Sequence, residues 1–368
     1  MKLKTTVFTF ETLYRVLSIA CVIVIMSYTF LIKQPVDFNV FYSAAKLAFT
    51  GENFYTVYGP QELPYWYFPW TAWFFIPFSL FSKDIALIVY LIASLLCGYL
   101  SVSVLAKKMM PKASWLDKFF IFAMSLPFCW LLFLVGQMDF LLLAVATLMV
   151  YWIDSDHPIF AGSLMPILLF KPHIFLIFIP YACLKGGKRF VGGAIASVLL
   201  LTTIAFVLYP NWVTDMVSVL QLSGQRTNDI FDFVTLPSLL GSTENYSGTA
   251  NIPFTAVLIL TGLIAISFIR DTETFPLLSM ALVASLFCAP RAYTYNFTIL
   301  IPALIWLSAG LRKPFLLSLF WSVVAISSSL FKFSTGAYII VLILLFAGIA
   351  KAIMSKKKSH HTIESKPA

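Results

Sequence analysis

Long apolar runs alternate with short polar connections along most of the chain. The first run extends from about Glu11 to Ile32, and the next long run covers Ile85 to Ala106. Both are close to the roughly 20 apolar residues that a helix needs to cross a bilayer. The pattern therefore predicts an all-α polytopic membrane protein with about twelve membrane segments. The other predicted segments are 119–135, 138–153, 159–170, 174–184, 190–209, 251–269, 275–289, 296–309, 315–331 and 337–350.

Residues 33–84 interrupt this pattern. An amphipathic run from Phe38 to Ala48 is followed by Gly51, a residue typical of turns. Residues 67–81 come next and are rich in proline, tyrosine and tryptophan. This stretch is too short to cross the bilayer, and Trp and Tyr favour the membrane interface. We predict that residues 33–84 form the first external loop, with helices that lie in the outer interface.

Two later segments, 159–170 and 174–184, are too short to cross the bilayer alone. Apolar runs of about 10–14 residues are more often buried or re-entrant. Lys171, Pro172 and His173 lie between them, so a cation and an imidazole are placed part-way into the membrane. Irregular backbone at this depth is tolerated only where protein or a water-filled cavity surrounds it. We therefore expect protein or a cavity around this hairpin.

Composition excludes a soluble globule, because 60% of the residues are hydrophobic and only 11% are charged. The first apolar run lacks the small-residue pattern of a signal-peptide cleavage site, so we interpret it as a membrane helix. The five cysteines fall inside apolar segments without metal-like spacing and are interpreted as core residues. A formal charge of +9 indicates loops anchored at the cytoplasmic face and not nucleic-acid binding.

The basic residues set the predicted orientation. Lys2, Lys4 and Arg15 precede or open the first membrane helix and place the N-terminus in the cytoplasm. If residues 67–81 do not cross, the lysines after the next helix also reach the cytoplasm: Lys107, Lys108, Lys112 and Lys118. Both termini are then cytoplasmic in a multi-pass protein of the plasma membrane. Residues 1–354 are predicted to form one integral membrane domain, and the basic tail 355–368 is expected to be disordered in the cytoplasm.

This topology places a set of polar side chains together on the outer side. Each has a simple alternative explanation, as a helix cap, a snorkelling lysine or an interfacial anchor. Gathered at one depth, they favour a functional site, because ionisable groups near a membrane are costly. The set consists of Asp37, Gln137, Asp139, Lys171, His173, Arg291, Tyr295 and Asn296.

The set suits a reaction with a phosphate leaving group. Asp37 can take a proton from an attacking hydroxyl. Lys171, His173 and Arg291 can neutralise the charge that grows on the phosphate. The aromatic residues of 65–70 offer flat faces to sugar rings. We predict no metal and no other cofactor, because two cations against a lipid monophosphate make a metal unnecessary.

Several short motifs resemble one known family in their order and spacing. The motifs are 37–45 (DFNVFYSAA), Gly51 with Tyr55, Tyr67-Phe68-Pro69 leading to Pro77, Gly136-Gln137, Ala161-Gly162 leading to Lys171-Pro172, and Ala289-Pro290 followed by Tyr295-Asn296 and Pro302. Over roughly residues 10–310 the chain resembles glycosyltransferase family 87, membrane enzymes of the GT-C type that use polyprenyl-phosphate mannose. It departs from the family pattern at Phe68, where a proline is frequent, at Asp139, where an asparagine is frequent, and at Asn296, where an acid or a histidine is frequent.

The resemblance implies a GT-C-like helical bundle. In this fold the first external loop carries two membrane-parallel helices and the catalytic base. The role of base falls on Asp37, and the later lysine of the family falls on Lys171.

We interpret the chain as a hexosyltransferase, with mannose as the first candidate sugar. The expected donor is a polyprenyl-phosphate sugar, and the expected acceptor is a lipid-linked or cell-surface glycan on the extracytoplasmic face. Asp37 acts as general base of an inverting transfer, while Lys171, His173 and Arg291 bind the donor phosphate. The expected partners also include membrane lipids but no nucleic acid. The predicted substrate contacts are Tyr42, Tyr67, Trp70, Gln137, Asp139, Tyr295 and Asn296.

Two other classes stay open at this point. A transporter or flippase of lipid-linked saccharides typically has broken helices at matching positions in two halves. The short hairpin at 159–184 has no evident counterpart in the second half of this sequence. A structural or assembly subunit without activity would tolerate replacement of Asp37, Lys171 and Arg291.

Overall fold

The computed structural model describes residues 2–31, 35–58, 63–126, 129–224, 252–290, 292–309, 341, 343–351 and 353–354. The predicted segment 315–331, the beginning of 337–350 and the basic tail 355–368 lie outside these ranges. Arg291 lies outside them as well.

Helices make up most of the described chain. The first half contains α1 (Lys2–Leu31), α2 (Val36–Thr50), α3 (Pro69–Ser79), α4 (Lys83–Met109), α5 (Trp115–Ser125), α6 (Trp130–Val135) and α7 (Asp139–Asp154). The second half contains α8 (Pro158–Ser163), α9 (Met165–Leu168), α10 (Phe178–Leu208), α11 (Trp212–Gly224), α12 (Ile252–Ser267), α13 (Thr274–Cys288) and α14 (Ile301–Ser308). Two short strands, β1 (Val57–Tyr58) and β2 (Leu63–Pro64), pair with each other, and 3-10 turns cover Pro172–Ile174 and Thr294–Leu300.

Two of the described helices, α4 and α10, are long and apolar enough to cross a membrane. The segment Arg15–Leu31 of α1 passes the same test only together with α2, from which it is bent by 51°. Four shorter apolar helices accompany them, at Pro158–Leu168, Thr255–Ser267, Thr274–Cys288 and Tyr295–Ser308. The fold is that of an all-α membrane protein, and the count of twelve segments stays a prediction.

Burial distinguishes the lipid-facing helices from the central one. On α4, Leu87 and Leu91 are buried whereas Ile88 and Ile92 are exposed, although all four are apolar. An apolar exposed face beside an apolar buried face is typical of a helix between protein and lipid. On α13, by contrast, every residue from Phe275 to Cys288 is buried. We therefore place α13 at the centre of the bundle.

The short hairpin differs in detail from its prediction. The predicted helix 159–170 is divided at Leu164 into α8 and α9, and the helix predicted from 174 begins at Phe178 after a 3-10 turn. Pro166 and Pro172 explain these interruptions, because proline lacks the N–H of a helical hydrogen bond. Inside α10, Gly187 has non-helical backbone angles (φ 61°, ψ −159°), which agrees with the predicted separation of 174–184 from 190–209.

Close packing holds this hairpin together. A Cβ at Gly162 of α8 would lie 2.0 Å from the carbonyl oxygen of Phe190, and one at Gly193 would lie 2.3 Å from that of Ile159. Only glycine allows α8 and α10 to approach so closely.

The predicted helix 119–135 is also divided, because α5 ends at Ser125 and α6 begins at Trp130.

The segment between α1 and α4 contains both helices that were predicted for the first loop. Helix α2 ends at Gly51, whose φ of 76° is left-handed and suits glycine. Helix α3 has 11 residues and is therefore too short to cross a bilayer. The two helices pack together through Phe41 and Phe75, whose rings stack at 4.8 Å. The antiparallel ribbon of β1 and β2 between them was not predicted.

Candidate active site

The site begins at the first turn of α2, where Asp37 lies. Pro35 precedes the helix in an extended conformation, and its carbonyl oxygen accepts a hydrogen bond from the Asn39 amide at 3.1 Å. A carboxylate in a first turn is favoured by the free N–H groups and the dipole of the helix. Asp37 is half-buried as a residue.

A tight turn between α6 and α7 packs directly against this position. Gly136 has a φ of +74°, and a Cβ there would lie 2.7 Å from the Cβ atoms of both Pro35 and Phe38. The Tyr90 hydroxyl of α4 donates to the Gly136 carbonyl oxygen at 3.3 Å. Because the turn and α2 are in such close contact, Gln137 lies beside the Asp37 carboxyl group.

The buried core of the site is an ion pair. Asp139, at the start of α7, has 0% of its side chain exposed, and the Lys171 side chain is 5% exposed. Lys171 Nζ donates to Asp139 Oδ2 at 2.8 Å, and Asn296 Nδ2 donates to Asp139 Oδ1 at 2.6 Å. Both carboxylate oxygens of Asp139 are therefore occupied. The pair joins α7, the hairpin and the 3-10 turn before α14.

Two further contacts fix the partners of this pair. Asn296 Oδ1 accepts a hydrogen bond from the Tyr293 backbone N–H at 2.8 Å. Lys171 Nζ lies 4.8 Å from the centre of the Tyr295 ring, a distance suited to a cation–π interaction. Tyr295 in turn stacks on Tyr293 with ring centres 5.0 Å apart.

The electrostatics of Asp37 differ from those of an exposed carboxyl group. Burial raises the pKa of Asp37 to about 6. The hydrogen bond from Gln137 and the charge of Lys171 lower this pKa, and the charge of Asp139 raises it. Burial also raises the pKa of the Tyr67 hydroxyl, and the negative charge of Asp37 adds to that shift. Asp37, Gln137, Asp139, Lys171 and Tyr67 therefore form one interacting cluster, to which Asn296 and Tyr295 belong through their contacts with Asp139 and Lys171.

The structure leaves two predicted substrate contacts outside this cluster. The Tyr42 hydroxyl donates to the Phe81 carbonyl oxygen at 2.9 Å, so it ties α2 to the connection between α3 and α4. Trp70 Nε1 donates to the Pro166 carbonyl oxygen at 2.9 Å, and the Trp70 ring stacks on Phe68 at 4.6 Å. Both side chains hold elements together in the structure.

The structure describes only one of the two other residues that were predicted to bind phosphate. His173 is half-buried in the 3-10 turn that follows Lys171. Arg291 lies outside the described residues. Among the cluster members that are described, the two carboxylates Asp37 and Asp139 face the single ammonium of Lys171. Phosphate binding by Lys171 therefore requires further positive charge.

A comparison with known families identifies the class of protein. A model of glycosyltransferase family 87 matches residues 65–292, which is more than half of the 368 residues. The chain belongs to glycosyltransferase family 87. Searches of the curated proteins and of the solved structures gave no match.

This family 87 chain is therefore a membrane glycosyltransferase, which uses a sugar donor and a glycan or lipid acceptor. The family assignment argues against the transporter and the inactive subunit. The matched range contains Gln137, Asp139 and Lys171, whereas Asp37 and Asn296 lie outside it. The support for roles of Asp37 and Asn296 therefore comes from the geometry of this chain and not from the family match.

One member of the candidate site was missed by the sequence analysis. Tyr90 supports the turn at Gly136, and its ring lies 5.2 Å from that of Phe38, next to Asp37. Its only signal in the sequence is a hydroxyl in an otherwise apolar helix, which usually finds a partner when buried. Among the described residues, no three His, Cys, Asp or Glu side chains come close enough to hold a metal ion.

Proposed function

We propose that this glycosyltransferase moves a hexose, with mannose as the first candidate, from a polyprenyl-phosphate donor to a lipid-linked or cell-surface glycan. The transfer takes place at the extracytoplasmic face and inverts the anomeric carbon. The supporting observation is the difference between the two carboxylates. Both oxygens of Asp139 are hydrogen-bonded to Lys171 and Asn296, and Asp139 is fully buried, whereas Asp37 is a half-buried residue.

Asp37 acts as the general base. A base works best when its pKa lies near the working pH, and the pKa of about 6 leaves Asp37 ionised at neutral pH yet more basic than an exposed carboxylate. The acceptor hydroxyl gives its proton to Asp37, and its oxygen forms a bond to the anomeric carbon. The bond from that carbon to the phosphate oxygen breaks, and its electron pair leaves with polyprenyl phosphate.

The leaving phosphate is stabilised by positive charge. Lys171 supplies one ammonium, which Asp139 holds in place at 2.8 Å. Because Asp139 neutralises much of this charge, His173 and Arg291 are proposed to complete the phosphate site. Preorganised donors aimed at a developing charge lower the barrier without reorganisation during the reaction. The side chains of Tyr67 and Tyr295 are proposed to border the sugar.

The extracytoplasmic location is supported by the direction of two helices. Asp139 opens α7 in the site, and Tyr90 in the first turns of α4 contacts Gly136 there. The opposite ends meet where Lys108 of α4 pairs with Asp154 of α7 at 2.7 Å. The site and the lysine-rich end are therefore at opposite ends of these helices. Basic residues favour the cytoplasmic side, so we place the site on the other side.

Replacing the base tests this function. In proteoliposomes supplied with polyprenyl-phosphate hexoses and a native lipid extract, we expect Asp37→Asn to lower transfer by about 10²–10⁴-fold, the usual contribution of a general base. Mass measurement of the glycosylated products gives the rate. Asp84→Asn is the matched control, because Asp84 is exposed at the start of α4. Transfer by a folded Asp37→Asn variant at the rate of Asp84→Asn would rule out Asp37 as the base.

A further inference from the structure

Gln137 contains a buried polar atom that the proposed function does not use. The residue is 2% exposed, and its Oε1 has no hydrogen-bond partner among the described residues. The same side chain lies beside the Asp37 carboxyl group and the Tyr67 hydroxyl, and it lowers the pKa of both. A buried acceptor without a partner loses its interaction with water and gains nothing in exchange. Such an atom in a native site calls for an explanation.

The position of Gln137 is fixed by the backbone. The N–H groups of Gly136 and Gln137 both donate to the Leu132 carbonyl oxygen, at 2.9 Å and 3.0 Å. The contact of Gly136 with Pro35 and Phe38 leaves no room for the turn to move towards α2. The orientation of the amide is also determined, because an ionised carboxylate only accepts hydrogen bonds and therefore faces the NH₂ group. Oε1 is thus held close to the Asp37 carboxylate.

We propose that Gln137 positions Asp37 with its amide nitrogen and binds the acceptor with Oε1, which accepts a hydrogen bond from a second hydroxyl beside the one that attacks. This inference rests on the proposed function, because it assigns the acceptor site next to the base. Two neighbouring oxygen acceptors match two hydroxyls on adjacent carbons. The acceptor is then a sugar ring with a vicinal diol, and a lipid alcohol with a single hydroxyl does not satisfy Oε1.

The first experiment needs only the wild-type protein. Proteoliposomes receive polyprenyl-phosphate hexoses together with octyl hexosides, the monodeoxy analogues of these hexosides, and octanol. The linkage of each product identifies the carbon whose hydroxyl attacked. We expect removal of the hydroxyl next to that carbon to lower kcat/KM by about 10-fold or more, because Oε1 then stays unpaired. Equal use of all such analogues, transfer to octanol, or no transfer to any hexoside overturns the inference.

Two substitutions then assign the effect to Gln137. Gln137→Met removes both the donor and the acceptor of the side chain. We therefore expect the ratio of kcat/KM with the hexoside to kcat/KM with the analogue that lacks the neighbouring hydroxyl to fall to near unity. Gln137→Glu keeps an oxygen acceptor but loses the donor, so much of that preference remains. Gln221→Met is the matched control, because Gln221 is exposed on α11. A wild-type preference in folded Gln137→Met overturns the inference, and Gln137→Glu keeps the test possible if the methionine variant does not fold.

The pH profile tests the positioning role separately. Asp37 works as a base only when ionised, so the wild-type kcat/KM falls as the pH drops through about 6. The hydrogen bond from Gln137 lowers the pKa of Asp37. Its loss in Gln137→Met therefore moves this fall to higher pH. An unchanged profile overturns the positioning role. If Asp37→Asn abolishes transfer but the expected effects of the Gln137 variants and of the deoxy analogues are absent, only the role of Gln137 is rejected. If Asp37→Asn remains active, the proposed function is rejected as well.

Discussion

Asp139 and Lys171 are far apart in sequence, and their pairing decides which carboxylate is available as a base. The sequence indicated that both belong to one side of the membrane. It did not indicate the contact, because a carboxylate at a helix start is equally well explained by its own backbone N–H groups. The pairing depends on the hairpin that carries Lys171 to within 2.8 Å of α7. Only the packed structure contains that information.

Breaking this buried pair should be costly. Asp139→Asn leaves the ammonium of Lys171 buried without its counter-charge, and we expect the free energy of unfolding to fall by about 3–5 kcal/mol. Asp154→Asn is the control, because the Lys108–Asp154 pair has exposed fractions of 37% and 31% and should lose less than about 1 kcal/mol. Thermal unfolding in detergent measures both. The double variant Asp139→Asn with Lys171→Met should recover part of the loss, and equal stability of the two single variants would contradict this account.

At the scale of elements, apolar runs predicted helices better than they predicted breaks. The predicted segments 138–153 and 275–289 agree with α7 and α13 to within one residue at each end. The division between α8 and α9 was missed because the apolar run continues past Leu164, although Pro166, which removes a helical N–H, marks the interruption in the sequence. The β1–β2 ribbon was missed because strands of two residues are too short to show an alternating pattern.

The turn from α6 to α7 carries the strongest prediction about an element. Gly136→Ala introduces a Cβ at a φ of +74° and 2.7 Å from Pro35 and Phe38. We expect it to destabilise the protein by about 1–3 kcal/mol and to lower transfer, because Gln137 moves away from Asp37. Gly192→Ala in α10 is the control, since a Cβ there meets nothing within 4 Å. Thermal unfolding and transfer assays compare the two variants, and similar behaviour would show that the turn is not tightly constrained.

At the scale of the whole molecule, the orientation of the chain depends on whether α3 crosses the bilayer. Its 11 residues span about 16 Å, roughly half of the hydrocarbon thickness. If α3 does not cross, Glu52 before it and Lys112 after α4 lie on opposite sides of the membrane. If α3 crosses, both lie on the same side, and the lysine-rich end of α4 faces outward.

Cysteine labelling separates these two arrangements. Glu52 and Lys112 are both exposed, so Glu52→Cys and Lys112→Cys should react readily with a maleimide that reaches them. We expect a membrane-impermeant maleimide to label Glu52→Cys on intact cells and Lys112→Cys only after permeabilisation. The wild-type chain gives the background, because its five free cysteines are buried or half-buried. Labelling of both variants on intact cells would mean that α3 crosses the membrane. The lysines at the end of α4 would then face outward and would no longer support an extracytoplasmic site.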